Sequence, residues 1–216
     1  MQTDVEPFAD DCLDTRNMSM TITNCRAKMV IAVMSLAVCI LSRAGFCTDS
    51  GPLTFFGWSD QHVKTDGDGT HLIPAIDAMN SMPGTAYPAS IGGKVEEPNF
   101  VMGLGDITEW PTLAARDTYE QLITKRLRFR SYDVAGNHDS GGLTPSATIH
   151  DWLIKRHGAL SYTFDKKGVH FIALYSQYDE SLNNPAQPIS QEALEYLRKD
   201  LAKVPKATPV VVAIHL

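Results

Sequence analysis

The sequence predicts an α/β fold built on a largely parallel sheet. From residue 53 onward, short apolar runs of strand length alternate with stretches whose apolar residues recur at helical spacing. The order of these segments is strand, helix, strand, helix, strand, which is how α/β domains are built. Size agrees: 216 residues, 44% hydrophobic and 20% charged, suit one globular domain with a tail.

Residues 53–59, Leu-Thr-Phe-Phe-Gly-Trp-Ser, are the first expected strand. Residues 71–82 carry Leu72, Ile73, Ile76 and Met79 at helical spacing. Residues 83–98 are rich in Gly and Pro and read as a long loop. Residues 100–104, Phe-Val-Met-Gly-Leu, are the second strand. Residues 113–128 place Leu113, Tyr119, Leu122, Ile123 and Leu127 on one face of an amphipathic helix. The cations at its end, Lys125, Arg126 and Arg128, suit the negative pole of the helix dipole. Residues 132–135 are the third strand, and 146–157, opened by Pro145, the next helix. Residues 161–164 and 169–174 form a strand pair around the turn Lys166-Lys167-Gly168. Residues 190–204 are a helix capped by Ser190 with Ala193, Leu194, Leu197 and Leu201 turned inward, and 209–214 the final strand.

Composition excludes several classes of function. The formal net charge is −6 and there is no basic stripe, so nucleic acid is not expected as a main partner. No Gly-x-Ser-x-Gly occurs, which argues against a serine hydrolase. Residues 1–44 are expected to be an N-terminal extension and signal peptide. Residues 29–41 are apolar and uncharged, Arg26 and Lys28 precede them, and Ser42-Arg43-Ala44 offers the small-x-small pattern of a cleavage site. That run is shorter than the ~20 residues a spanning helix needs, so export and no transmembrane span are expected. Lipoprotein anchoring through Cys47 is less favoured, because bulky Phe46 precedes it. Cys12, Cys25 and Cys39 fall within the removed part, leaving Cys47 alone and no internal disulfide. The domain at 45–216 must therefore stand on its core, for which ~170 residues suffice.

Ligands of α/β sheets gather where strands end. After the first strand comes Asp60-Gln61-His62, after the second Gly105-Asp106-Ile107-Thr108-Glu109, after the third Gly136-Asn137-His138-Asp139, and the last runs into His215. These side chains are expected to meet along one edge of one sheet. Carboxylate oxygen and imidazole nitrogen are ligands for Zn, Mn or Fe, and the absence of thiolates argues against a structural zinc site. Gly-Asn-His-Asp arises by chance in about one chain of this length in a thousand.

In these four blocks the chain resembles the calcineurin-like metallophosphoesterases, which include purple acid phosphatases and cyclic-nucleotide phosphodiesterases. The resemblance spans about residues 53–216 and implies an α/β/β/α sandwich with two divalent or trivalent metal ions at the sheet edge, Mn, Fe or Zn. It implies one ion on Asp60, His62 and Asp106 and a second on Asp106, Asn137 and His215, with Asp106 bridging through its two oxygens. His138 would face the substrate, a small phosphomonoester or phosphodiester. Glu109 would hold the His138 ring, and Asp139 would stabilise the loop. The family's final Gly-His-x-His is absent, so the domain is expected to lack its C-terminal part. An inactive relative that binds without catalysing is the alternative. Of the remaining residues, His150 and His157 are expected on one exposed helix face, His170 as a satisfied half-buried strand residue, and Asp66-Gly67-Asp68-Gly69 as a polar turn.

Overall fold

Six strands form two three-stranded sheets in a computed structural model, which describes residues 51–141, 144–176 and 189–215. The expected signal segment and Cys47 lie outside the described residues. The chain order is β1 (Phe55–Trp58), α1 (Ile73–Ser81), β2 (Phe100–Leu104), α2 (Leu113–Gln121), β3 (Ser131–Val134), α3 (Thr148–His157), β4 (Tyr162–Lys166), β5 (Val169–Leu174), α4 (Gln191–Leu201) and β6 (Val210–Ile214). The first sheet is β1-β2-β3, parallel throughout, with Phe55 opposite Phe100 and Val101 opposite Ser131. The second is β4-β5-β6, where β4 runs antiparallel and β6 parallel to β5. Among the described residues no helix is long and apolar enough to cross a membrane.

Local chemistry accounts for the element ends. Thr112 caps α2 by accepting from the Ala115 N–H at 3.1 Å, and Ser190 caps α4 by accepting from Ala193 at 3.2 Å. α3 closes with Lys155, Arg156 and His157 in its last turn, followed by Gly158 in the left-handed region (φ 91°). The helix expected at 113–128 is α-helical only to Gln121. Leu122–Arg126 then widens into a π turn that ends with the Leu127 N–H bonded to Leu122 O at 2.9 Å.

The one largely parallel sheet read from the strand pattern alone is corrected: the described residues form two sheets. β6 pairs with β5, not with the first three strands. The physical reason lies in β5, Val-His-Phe-Ile-Ala-Leu, which is apolar on both faces. Phe171 and Ala173 pack against Phe100, Met102 and Val134 of the first sheet, while Ile172 and Leu174 pack with Ala193 of α4. A strand buried on both faces is most stable between two layers, so the β4–β5 hairpin stacks on the first sheet instead of extending it. The inter-sheet core is aromatic: Phe100 meets Phe171, Phe164 and Tyr132 edge-on with ring centroids 5.1–5.4 Å apart. The other face of the first sheet is covered by the helices through Ile76, Met79, Ala115, Tyr119, Ile149 and Leu153, packed with Val101 of β2. Phe100 and Val101 thus face opposite layers, as alternation along a strand requires.

Two buried polar knots tie the layers. Asp133 of β3 is buried and accepts from Tyr119 Oη at 2.8 Å, Ser131 Oγ at 2.5 Å and Arg156 Nε at 3.3 Å. Burial pushes its carboxyl up, but His157, Arg156 and Ser131 outweigh that and hold it below the usual carboxylate range. The His157 side chain is only 2% exposed, lies 3.4 Å from Asp133 and stacks on Tyr162. His150 is half-buried against Tyr175. The exposed face expected for His150 and His157 is therefore corrected: the α3 surface carrying them packs toward the sheets.

The second knot is His170 of β5, 8% exposed, with Nδ1 2.8 Å from Asp165 of β4 and Nε2 2.8 Å from Asp200 of α4. Burial lowers its pKa, but the two carboxylates outweigh this and raise it above the ordinary histidine value. Its stabilising contribution is then complete below the unfolded value of about 6.5 and is lost as pH rises through the raised native value. The melting-temperature gap between wild type and His170→Gln should accordingly be wider at pH 6 than at pH 9, by about 2–4 °C for each kcal/mol involved. A gap independent of pH would count against this role.

Candidate functional site

The four blocks converge where β1, β2, β3 and β6 end. Pairing between β1 and β2 continues past both strands. Asp60 N–H donates to Gly105 O at 3.0 Å, His62 to Asp106 O at 2.9 Å and Val63 to Ile107 O at 3.1 Å. The chain achieves this with an unusual backbone. Asp60, His62 and Asp106 have φ of 56°, 45° and 54°, and Lys167 in the β4–β5 turn is the one other described non-glycine residue with positive φ. Such conformations cost about 1–3 kcal/mol each and persist only where the surroundings enforce them. Two glycines make room. A Cβ on Gly136 would collide with the carboxylate and main-chain nitrogen of Asp106, and one on Gly105 (φ 93°) would collide with the His215 ring.

Asp106 is the centre of the arrangement. It is buried, and its Oδ2 lies 3.6 Å from His62 Nε2 and 3.3 Å from His215 Nε2. Its Oδ1 accepts from the His138 N–H at 3.0 Å. Oδ2 is thus the oxygen that faces both histidines. Asp60 lies 3.7 Å from His62, and Ser59 Oγ donates to its other oxygen. Two donor triads result: His62, Asp106 and His138, and Asp60, Asp106 and His215. Within each, the candidate ligand atoms lie within 4.8 Å of one another. By proximity His138 falls beside His62 and Asp60 beside His215, while Asp60 also lies near His62. Asn137 is exposed, and its main-chain carbonyl accepts from Ser140 Oγ at 2.7 Å.

The ring nitrogens are sorted by their partners. His215 Nδ1 is 2.8 Å from Leu104 O, and His138 Nδ1 is 2.8 Å from Glu109 O. A carbonyl only accepts, so both Nδ1 atoms carry the proton, and each neutral ring keeps its lone pair on Nε2. A histidine anchored to a backbone carbonyl through one nitrogen is the usual arrangement of a metal ligand. In the second triad, the His215 lone pair faces a carboxylate oxygen at 3.3 Å. Lone pairs repel at that range, and a metal ion held between them would relieve the repulsion. Imidazole and carboxylate without thiolate suit Zn, Mn or Fe.

Glu109 departs from expectation. Its main-chain carbonyl, not its carboxylate, holds His138. The carboxylate turns outward to Lys64 Nζ at 3.2 Å and to Thr65, and the Lys64 ammonium holds it below the usual carboxylate range. Asp139 behaves as expected. It is fully buried and accepts from Ile107 N–H (3.1 Å), Thr108 N–H (2.9 Å), Thr108 Oγ1 (3.0 Å) and Gly136 N–H (2.9 Å). Burial pushes its carboxyl up to about 6, against these donors. Asp66-Gly67-Asp68-Gly69 is a polar turn, with Asp68 accepting from Thr70.

Three neighbours escaped the sequence reading. Gln61 is 1% exposed inside the Asp-x-His block and donates to Trp58 O at 3.1 Å. Lys64 pairs with Glu109. Trp110 lies beside His138 with ring centroids 5.2 Å apart. The available signal for Trp110 was its position, immediately after a strand-end block.

Asp139→Ala would leave three buried N–H groups without a partner and should cost about 3 kcal/mol or more in urea unfolding. Glu109→Gln, whose partners are exposed, should leave stability nearly unchanged; equal losses in the two variants would contradict the division of labour between them. Neither the protein-family models nor the curated proteins compared with this sequence match it.

Proposed function

We propose that this protein is a metal-dependent phosphoesterase of the calcineurin-like metallophosphoesterase type, hydrolysing phosphomonoesters or phosphodiesters. The observation that carries the reading is Asp106, buried in a strained backbone conformation with one carboxylate oxygen facing both His62 and His215. Two further features support it: the motif order along the chain, and the packing of two stacked sheets with helices against each.

The clustered carboxylates and imidazoles are of the type that holds a metal ion, and the reading takes a pair of ions from the resemblance. Asp60, His62, Asp106 and His215 are the candidate ligands, with Asn137 as a further one by resemblance. When bound, such ions lower the pKa of a water and polarise phosphoryl oxygens. The chain's own contribution is positional. Gly105 and Gly136 let the ligands crowd, and Asp139 fixes the two turns that carry Asp106 and His138. Leu104 O and Glu109 O orient the imidazoles of His215 and His138. With Nδ1 committed to Glu109 O, His138 can hold a second proton at Nε2 and release it to a leaving oxygen, while its cationic form stabilises charge on the phosphoryl group. No covalent nucleophile is required.

The purified full chain, supplied with Mn²⁺ or Fe, should hold about two ions and hydrolyse 4-nitrophenyl phosphate or its bis-ester. Chelation should abolish hydrolysis. Asp106→Asn should lose metal and lower kcat by about 100-fold or more, the loss expected when an electrostatic element of the site is removed. Hydrolysis that survives both chelation and Asp106→Asn would sink the reading.

A further inference from the structure

Trp110 is 44% exposed, an unusual position for a large aromatic residue that has a buried sheet edge beside it. Its ring centroid is 5.2 Å from that of His138, tilted by 38°, and His138 in turn meets His62 edge-on at 4.7 Å. The three rings form a row leading outward from the Asp106 cluster. At the outer end lies a cavity of about 450 Å³ lined by Trp110, Pro111, Thr112, Gly141, Thr144 and Ser146. That volume falls within the range of small-ligand pockets, about 300–1,000 Å³.

Two of the lining residues, Thr112 and Ser146, are held by hydrogen bonds. Thr112 is the N-cap of α2, and its hydroxyl also donates to Thr65 O at 2.8 Å. Ser146 Oγ donates to Pro111 O at 3.3 Å and contacts Thr148 Oγ1 at 2.9 Å. Gly141 has φ 87°, and a Cβ there would collide with Thr144 O. Two of the three hydroxyls are thus already engaged, which limits recognition by hydrogen bonding and leaves the indole as the main recognition surface.

The geometry points to Trp110 as a stacking platform for the organic group of the substrate, making aryl and heteroaryl phosphoesters the preferred class. This rests on the phosphoester reading above. With the phosphoryl group at the Asp106 cluster and His138 beside its ester oxygen, a planar substituent is directed along the ring row onto the indole. Stacking of this kind favours an aromatic ligand by about 3- to 10-fold over an aliphatic one.

The test uses the full chain with Mn²⁺, comparing phenylphosphonate and methylphosphonate as competitive inhibitors of 4-nitrophenyl phosphate hydrolysis. Wild type should bind the phenyl compound about 3- to 10-fold more tightly. Trp110→Leu, which keeps apolar volume but removes the π face, should bring the ratio of inhibition constants close to one. Trp110→Phe, which keeps a ring, should retain most of the preference. A wild-type ratio near one, or a ratio unchanged in Trp110→Leu, overturns the platform while leaving the phosphoesterase intact. Metal-loaded wild type that hydrolyses nothing overturns the phosphoester reading, and the platform with it.

Discussion

The carboxylate of Asp139 accepts four hydrogen bonds from Ile107, Thr108 and Gly136, and the sheet edge depends on it. The turns after β2 and β3 leave their sheet with unpaired N–H groups pointing into a dry interior. A buried N–H without a partner costs about as much as the hydrogen bond it has lost. One side chain satisfies three such groups at once and clamps the two turns together. The strained backbone at Asp106 and the close approach of Gly136 to it are possible because this clamp holds them. Asp139 is thereby a positioning residue, which places Asp106 and His138 without joining either donor triad.

His215 arrives from the other sheet. β6 pairs with β5, and the β4–β5–β6 layer is held to the first sheet by Phe100, Phe171, Phe164 and Tyr132. The position of His215 over Gly105 therefore depends on the aromatic core between the sheets. A change in the thickness of that core would move His215 relative to Asp106, although none of these four rings belongs to either donor triad. Packing and site geometry are linked through one strand.

The ionisable groups serve two different ends. Asp133 and His170 are enclosed by donors and counter-charges that satisfy them, and they join helices to sheets. At the strand ends, Asp60, His62, Asp106 and His215 face one another at 3.3–3.7 Å. The first arrangement is complete in itself; the second is of the kind that a cation would complete. The two sets differ in their partners and not in burial, since Asp106 and Asp133 are both buried.

Much of this was legible in the chain. Helical and strand periods marked every element, Ser190 announced its cap, and the blocks at Asp60, Asp106, Asn137 and His215 stood out because they interrupt apolar runs with ligand-type residues. Local pattern suffices for such features, because backbone geometry and burial act over a few residues. Other features depended on non-local contact. An apolar strand buried on both faces looks the same whichever sheet it joins, so the placement of β4–β6 in a second sheet came from packing alone. A glutamate at the right spacing does not reveal whether its carboxylate or its carbonyl will meet His138; Lys64, 45 residues away, drew the carboxylate outward. His157 looked like a surface helix residue until Asp133 and Tyr162 enclosed it. Local pattern thus sets the elements and the ligand-type residues at their ends. Tertiary structure decided which sheet carries each strand and which atom of each residue faces its neighbour, because those outcomes depend on partners distant in the chain.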